Sequence, residues 1–173
     1  VAEPKPGGPE SPFLYDRQVT RRHDGRVMDR VASYTAMRKF STGRDRNNVP
    51  RLMLNDRPLF QFGPLDQGWW PDGLYTAPSD EALRYDVVKT KELGYNMIRK
   101  HVKVEPARWY YHCDREGIIV WQDMPSGDIT PGNPQWQMTR YFTGEERQRT
   151  PESEACYRKE WREIIDALRG FAS

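Results

Sequence analysis

At 173 residues the chain is long enough for one domain with a sizeable core, but only 36% of positions are hydrophobic and 30% are charged, so much of the apolar surface must come from the 12% that is aromatic. The 27 Lys and Arg are nearly matched by 25 Asp and Glu, and no basic run forms a stripe, which leaves nucleic-acid binding with little support; no apolar stretch is long enough for a membrane span, and no secretory signal opens the sequence. Cys113 and Cys156 make no disulfide framework and read as buried free thiols, and no metal-ligand spacing joins them to His23, His101 or His112, so neither a metal nor a cofactor is expected.

Residues 1–12 (VAEPKPGGPESP) are rich in Pro and Gly and read as an extended, poorly ordered lead-in from the middle of a protein. Two strands follow, residues 13–20 (FLYDRQVT) and 26–34 (RVMDRVASY), joined by a turn at His23, Asp24 and Gly25, with residues 35–40 (TAMRKF) continuing the second strand. A lone hairpin cannot build a core, so it needs partners. The polar, punctuated residues 41–50 (STGRDRNNVP) predict a linker or exposed loop. A second hairpin has RLML and PLFQFG on either side of Asn55, Asp56 and Arg57, after which residues 65–75 (LDQGWWPDGLY) make a long aromatic loop.

From Glu81 to Met124 one pattern then runs twice: an amphipathic helix, a glycine that stops it, and a short strand ending in polar residues. The first unit is DEALRYDVVKTKEL, Gly94 and YNMIRKH, with Ser79 as its N-cap and Asp80 and Glu81 in the first turn. The second is PARWYYHCDRE, Gly117 and IIVWQD; its helix opens at Glu105 and Pro106, and the apolar run from Ile118 to Trp121 suits a strand covered on both faces. Helix and strand alternating at this spacing predict βαβ units feeding a parallel sheet. A long loop from residue 126 to 149 contains Pro131, Pro134, Trp136, Tyr141 and Phe142. A third helix starts at Thr150, Pro151 and Glu152, with Tyr157, Trp161, Ile164, Ile165 and Leu168 forming a stripe at helical spacing that predicts burial, and it ends at Gly170, where another strand is expected.

In this order the pieces resemble glycoside hydrolase family 2, the group of β-galactosidases, β-mannosidases and β-glucuronidases. PESPFLYDRQV is similar to a late strand motif of the family's immunoglobulin-like domain, and MRKF at 37–40 to that domain's end, with Ala36 where a Gly is usual. LMLNDRPLFQFG resembles the hairpin leading into the first barrel strand, Asn96 to Arg99 the Asn-x-x-Arg of the second, and HCDREGIIVWQDMP the Cys-Asp-x-x-Gly motif and the third strand. The resemblance implies an α/β fold: a partial (β/α)8 TIM barrel, its first three β/α units, preceded by a β-hairpin from an immunoglobulin-like sandwich. Residues 1–40 would then be the last strands of the sandwich domain and 41–173 the N-terminal part of the barrel.

What the resemblance implies for function is a segment of a retaining exo-β-glycosidase acting on terminal β-glycosidic bonds, with a carbohydrate as partner and a periplasmic or secreted location; the strand edges such a segment leaves unpaired predict a homo-oligomer or association through those edges. Such barrels place the site at the C-terminal strand ends, where this sequence offers Asp66 and Gln67, then Arg99 and His101, then Gln122 and Asp123. By resemblance Arg99 lies beneath the nucleophile carboxylate, while Asp123, His101 and Asp66 are candidates for sugar contacts, and Trp69, Trp70 and Trp121 are aromatic residues able to stack on a ring or to pack in the core. His101 follows Arg99 by two residues rather than the three of many galactosidases, with Val102 in the family's His position, and Val120 to Asp123 (VWQD) matches mannosidase-like members, so the sugar stays open. The family's acid/base is the Glu of an Asn-Glu pair on the fourth strand and its nucleophile ends the seventh. No Asn-Glu occurs here, so no residue of this chain is assigned as catalytic. A non-catalytic carbohydrate-binding or interaction module of the same fold is the alternative. A nucleotide-binding domain has little support, because no Gly-rich phosphate loop follows a strand.

Overall fold

The computed structural model describes residues 3–125 and 150–173. In chain order these form β1 (Tyr15–His23), β2 (Arg26–Thr35), β3 (Phe40–Arg44), β4 (Pro50–Leu54), β5 (Arg57–Pro58), β6 (Leu65–Asp66), α1 (Asp80–Glu92), β7 (Met97–Lys100), α2 (Ala107–Glu116), β8 (Ile119–Gln122) and α3 (Pro151–Leu168). The strands make an antiparallel pair β1–β2, an antiparallel sheet β3–β4–β5, and a parallel sheet in the order β6–β7–β8. The long loop expected over residues 126–149 lies outside the described residues.

The repeated helix–glycine–strand unit is present at both places. Ser79 caps α1 by accepting from the Ala82 N–H at 3.2 Å, and Gly94 leaves the helix with φ +88°. Gly117 ends α2 in the left-handed region at φ +75°, where a side chain would strain the backbone. Alternation along β7 divides its side chains between two faces. Ile98 packs with Leu83 and Val87 of α1, Trp109, Tyr110 and Cys113 of α2, and Ile118, forming the layer between helices and sheet. Met97 faces the other way and packs with Ile119, Leu54 and Leu59, so the β3–β4–β5 hairpin closes the N-terminal ends of the parallel strands.

Several local expectations are corrected. Residues 41–50 are not a linker: Phe40–Arg44 pairs with Pro50–Leu54 as β3. The turn between them is organised by Asp45, whose carboxylate accepts from the N–H groups of Asn47 (2.8 Å) and Val49 (3.0 Å). Residues 35–40 do not continue β2, which ends at Thr35; Met37 instead bridges to Pro6, and its carbonyl accepts from the Gly7 N–H at 2.9 Å. The lead-in is therefore tied down, with Gly7 and Pro9 buried. PLFQFG does not form a regular strand. β5 ends at Pro58 and the parallel ladder begins at Leu65, with Phe62 O accepting from Asn96 N and Pro64 O from Arg99 N as the chain joins β7.

Burial also departs from the sequence pattern. The stripe on α3 is not buried: the helix has no buried residue, and Trp161 and Ile165 are about half exposed. Cys113 is buried, but Cys156 is exposed. The third parallel strand is covered on both faces where it begins, with Ile118 and Ile119 buried, but one face opens toward its C-terminal end, where Trp121 is 46% exposed. The segment after α3 does return to the sheet: the Val120 N–H of β8 donates to the carbonyl of Ser173 at 2.9 Å. Asp114 of α2 holds that return, its carboxylate accepting from the N–H groups of Ala172 (2.9 Å) and Ser173 (2.5 Å) and from the Tyr34 hydroxyl of β2 (2.7 Å). Among the described residues no helix is long and apolar enough to cross a membrane.

Candidate functional site

The register of the parallel sheet sorts the polar residues at its C-terminal ends into two rows. Leu65, Arg99 and Trp121 are neighbours across β6, β7 and β8, and Asp66, Lys100 and Gln122 form the next row on the opposite face. The first row, extended by Gln67, His101 and Asp123, lies on the face away from the helices. The second lies against them.

On the open face Arg99 and Asp123 form a two-pronged pair, Nε to Oδ1 at 3.1 Å and Nη2 to Oδ2 at 3.0 Å. The guanidinium beside it, helped by the Val102 backbone N–H, holds the Asp123 carboxyl below the usual carboxylate range. Nη1 of Arg99 makes no hydrogen bond among the described residues. His101 Nδ1 and Gln67 Nε2 are 3.2 Å apart, which links the ends of β6 and β7. The Trp121 indole donates to Gln61 Oε1, setting its ring across the strands. Val102, next to His101, sits at φ +47°, a conformation that a β-branched residue rarely takes. That turn lets His101 stay on the open face while Lys103 comes back under the strand ends.

On the helix side lies a buried charge cluster. Lys100 Nζ is 2.6 Å from Asp66 Oδ2 and 2.9 Å from Glu105 Oε1, and Lys103 Nζ reaches the same Glu105 oxygen at 2.9 Å. The Lys100 side chain is 1% exposed and that of Glu105 2%. The Lys100 ammonium also sits 4.3 Å from the centre of the Trp109 ring. Glu105 Oε2 is buried without a hydrogen-bond partner among the described residues. Beside the cluster, Gln122 accepts from the Tyr110 hydroxyl at 2.5 Å and donates to the carbonyls of Lys103 (2.8 Å) and Asp123 (2.7 Å). Burial raises the Tyr110 phenol above its ordinary value, so Tyr110 stays a protonated donor.

The structure thus brings Arg99, Asp123 and His101 to one face and sends Asp66 to the other, where its carboxylate serves Lys100 and the Gly68 N–H (2.8 Å). Sequence reasoning missed Lys100, Lys103 and Glu105. The available signal was a lysine at a helix-facing strand position, the same parity as Ile98, which requires a buried counter-charge. Among the described residues no group of His, Cys, Asp and Glu is placed to hold a metal ion.

No family model matches the sequence. The chain is 26% identical over 136 residues to a β-galactosidase of Lactococcus lactis, which covers 77% of this chain and 13% of that protein. It is also 26% identical over 121 residues to a β-glucuronidase of Bacteroides fragilis, covering 68% of this chain and 16% of that protein. Among solved structures, a β-glucuronidase of Bacteroides uniformis aligns with a TM-score of 0.62 at 30% identity, over 76% of this chain and 15% of that one. A β-glycosidase of Bacteroides vulgatus aligns over 98% of this chain and 20% of that one, with a TM-score of 0.69 at 20% identity, a likeness of fold. A glycoside hydrolase family 2 β-galacturonidase of Eisenbergiella tayi, solved with galacturonate, aligns with a TM-score of 0.58 at 24% identity over 70% of this chain and 21% of that one. Over most of its own length, the chain is similar to a short segment of the β-galactosidases and β-glucuronidases of glycoside hydrolase family 2.

Proposed function

We propose that the chain is part of a retaining exo-β-glycosidase that hydrolyses terminal β-glycosidic bonds, and that its catalytic acid/base and nucleophile are not among these 173 residues. In this reading residues 41–173 are the first three β/α units of a (β/α)8 barrel, and residues 1–40 are the closing strands of an immunoglobulin-like sandwich. The observation that carries it is the open face of β6–β7–β8, where Arg99, His101 and Asp123 stand together at the C-terminal ends of parallel strands, the end at which such barrels place their sites.

The chemistry follows from the geometry. Asp123 occupies the Nε/Nη2 side of the Arg99 fork and leaves Nη1 for a second anion or a sugar hydroxyl. A carboxylate placed there by another part of the barrel would be held ionised and aimed, as a nucleophile requires. His101 and Asp123 offer hydrogen-bonding groups to sugar hydroxyls, and the half-exposed Trp121 ring offers an apolar face beside them. Asp66 acts from behind the sheet, through Lys100 and Gly68.

The test compares this chain with a longer product of the same reading frame, each assayed on aryl β-galactosides, β-glucuronides and β-mannosides. The chain alone should show no turnover above background, and the longer protein should hydrolyse at least one of them. Turnover by the purified chain that Asp123→Asn abolishes would overturn the proposal.

A further inference from the structure

We propose that residues 68–75 form an aromatic carbohydrate-binding wall whose position is set from beneath by Lys103 and Glu105, making these two positioning residues; the proposal rests on the glycosidase reading above. A buried ion cluster is weak evidence of stability, since apolar residues of the same volume often hold a fold as well; what it fixes is geometry. Here the contacts that leave the cluster converge on one residue, Gly68. The Gly68 N–H donates to Asp66 Oδ1 at 2.8 Å, and the Gly68 carbonyl accepts from Lys103 Nζ at 2.6 Å. Gly68 takes φ +66°, and a Cβ at this position would lie 2.3 Å from Glu105 Oε1 and 3.0 Å from each lysine nitrogen. Only glycine lets the backbone approach the charges this closely.

The same lysine reaches the far end of the loop, with its ammonium 5.1 Å from the centre of the Tyr75 ring. Between these anchors the chain folds back on itself: Trp70 N–H donates to Leu74 O at 2.8 Å, and Leu74 N–H donates to Trp70 O at 3.0 Å. The outcome is a pair of rings, Trp69 and Tyr75, packed edge to face with centroids 4.6 Å apart. They remain 56% and 52% exposed. A hydrophobic loop with its backbone locked and its rings left in water is preorganised for a ligand rather than folded into the core. Its root is Gln67, hydrogen-bonded to His101 on the open face. Aromatic faces next to amide and imidazole groups suit a pyranose, whose C–H face packs on rings while its hydroxyls take hydrogen bonds.

Hydrogen–deuterium exchange on the chain tests the positioning. Lys103→Met should speed exchange across residues 67–76 by about tenfold or more while α1 and the β1–β2 hairpin keep their rates. Gly68→Ala keeps every charged side chain but drives a Cβ to 2.3 Å from Glu105 Oε1, so it should push the Gly68 backbone off the cluster and give the same local signature without removing a buried charge. Unchanged exchange over 67–76 in Gly68→Ala would overturn the lock. For the ligand, methyl β-D-glucuronide and methyl β-D-galactoside are added at up to decimolar concentration, with slowed exchange in 67–76 expected for at least one and abolished by Trp69→Ala. Slowed exchange only around Arg99 and Asp123 would overturn the wall and leave the glycosidase reading standing. No protection anywhere would overturn the wall, and the glycosidase reading would still be judged by turnover of the longer protein.

Discussion

Arg99 and Asp123 meet fork to fork across adjacent parallel strands, with two hydrogen bonds of 3.1 and 3.0 Å, although the arginine side chain is 48% exposed. An exposed ion pair adds little stability, because both partners are well solvated when apart. Its effect is directional: it fixes the plane of a guanidinium whose Nη1 has no hydrogen-bond partner among the described residues. In a longer protein that carries the activity, Arg99→Ala should lower kcat by a factor of about 100 or more with the fold intact, a loss on the scale of one preorganised electrostatic contact. Asp123→Asn keeps one acceptor and should cost less. Steady-state kinetics with circular dichroism checks this, and near-normal kcat in Arg99→Ala would make it a purely structural residue.

Acid should loosen this chain through identifiable carboxylates. Asp123 is held below the usual range by Arg99, and Asp80 well below it by the bidentate Arg108 and by His112. Since their folded values are depressed, the stability they contribute is fully present above the unfolded carboxylate value of about 3.9 and is lost as pH falls through the folded values. Denaturant midpoints measured from pH 6 downward should therefore fall in acid, and Asp80→Asn should flatten that fall. An unchanged acid slope would show that other groups carry it.

Lys100 is the most costly side chain to truncate in the parallel sheet. It is 1% exposed and is the common partner of Asp66 and Glu105. Lys100→Ala leaves Asp66 without its ion partner and Glu105 with Lys103 alone, and breaking a buried pair from one side costs about 3–5 kcal/mol. Urea unfolding measures this, and a loss under about 1 kcal/mol would mean that water enters and solvates the cluster.

Tyr34 and Asp114 join the β1–β2 hairpin to α2 by one 2.7 Å hydrogen bond. Asp114 is buried and also serves the two N–H groups after α3. Tyr34→Phe removes one donor from a buried carboxylate and should destabilise by about 1–3 kcal/mol. Proteolysis between the hairpin and β3 should accelerate in that variant. Equal cleavage rates would show that other contacts seat the hairpin.

The hairpin itself should drive association. Val19 and Val31 face each other in register and are 55% and 53% exposed, and no third strand joins the pair among the described residues. Open strand edges beside apolar surface template pairing between copies. Light scattering should show concentration-dependent assemblies that Val31→Lys reduces. A monodisperse monomer with a steep unfolding transition would count against the partial-barrel reading.

The two helix–strand units were legible in the sequence because their signals are local. Ser79 and Thr150 cap helices with their own hydroxyls, and Gly94 and Gly117 take backbone angles that neighbouring residues cannot, so no distant partner is needed. The motif around Asn96 and Arg99 likewise places Arg99 near a strand end, where β7 has it. What only the tertiary structure decided depends on register. Pairing Leu65 with Arg99 and Asp66 with Lys100 sends Arg99 and Asp66, both candidates for the site, to opposite faces, so Asp123 neutralises Arg99 while Asp66 pairs with a buried lysine. Residues 41–50 looked like a linker because their polarity is real, yet backbone pairing with β4 makes a strand of polar residues when a partner edge is available. The stripe on α3 shows the converse. Helical spacing marks the face able to bury, but burial requires a surface opposite, and Trp161 and Ile165 have none that covers them among the described residues.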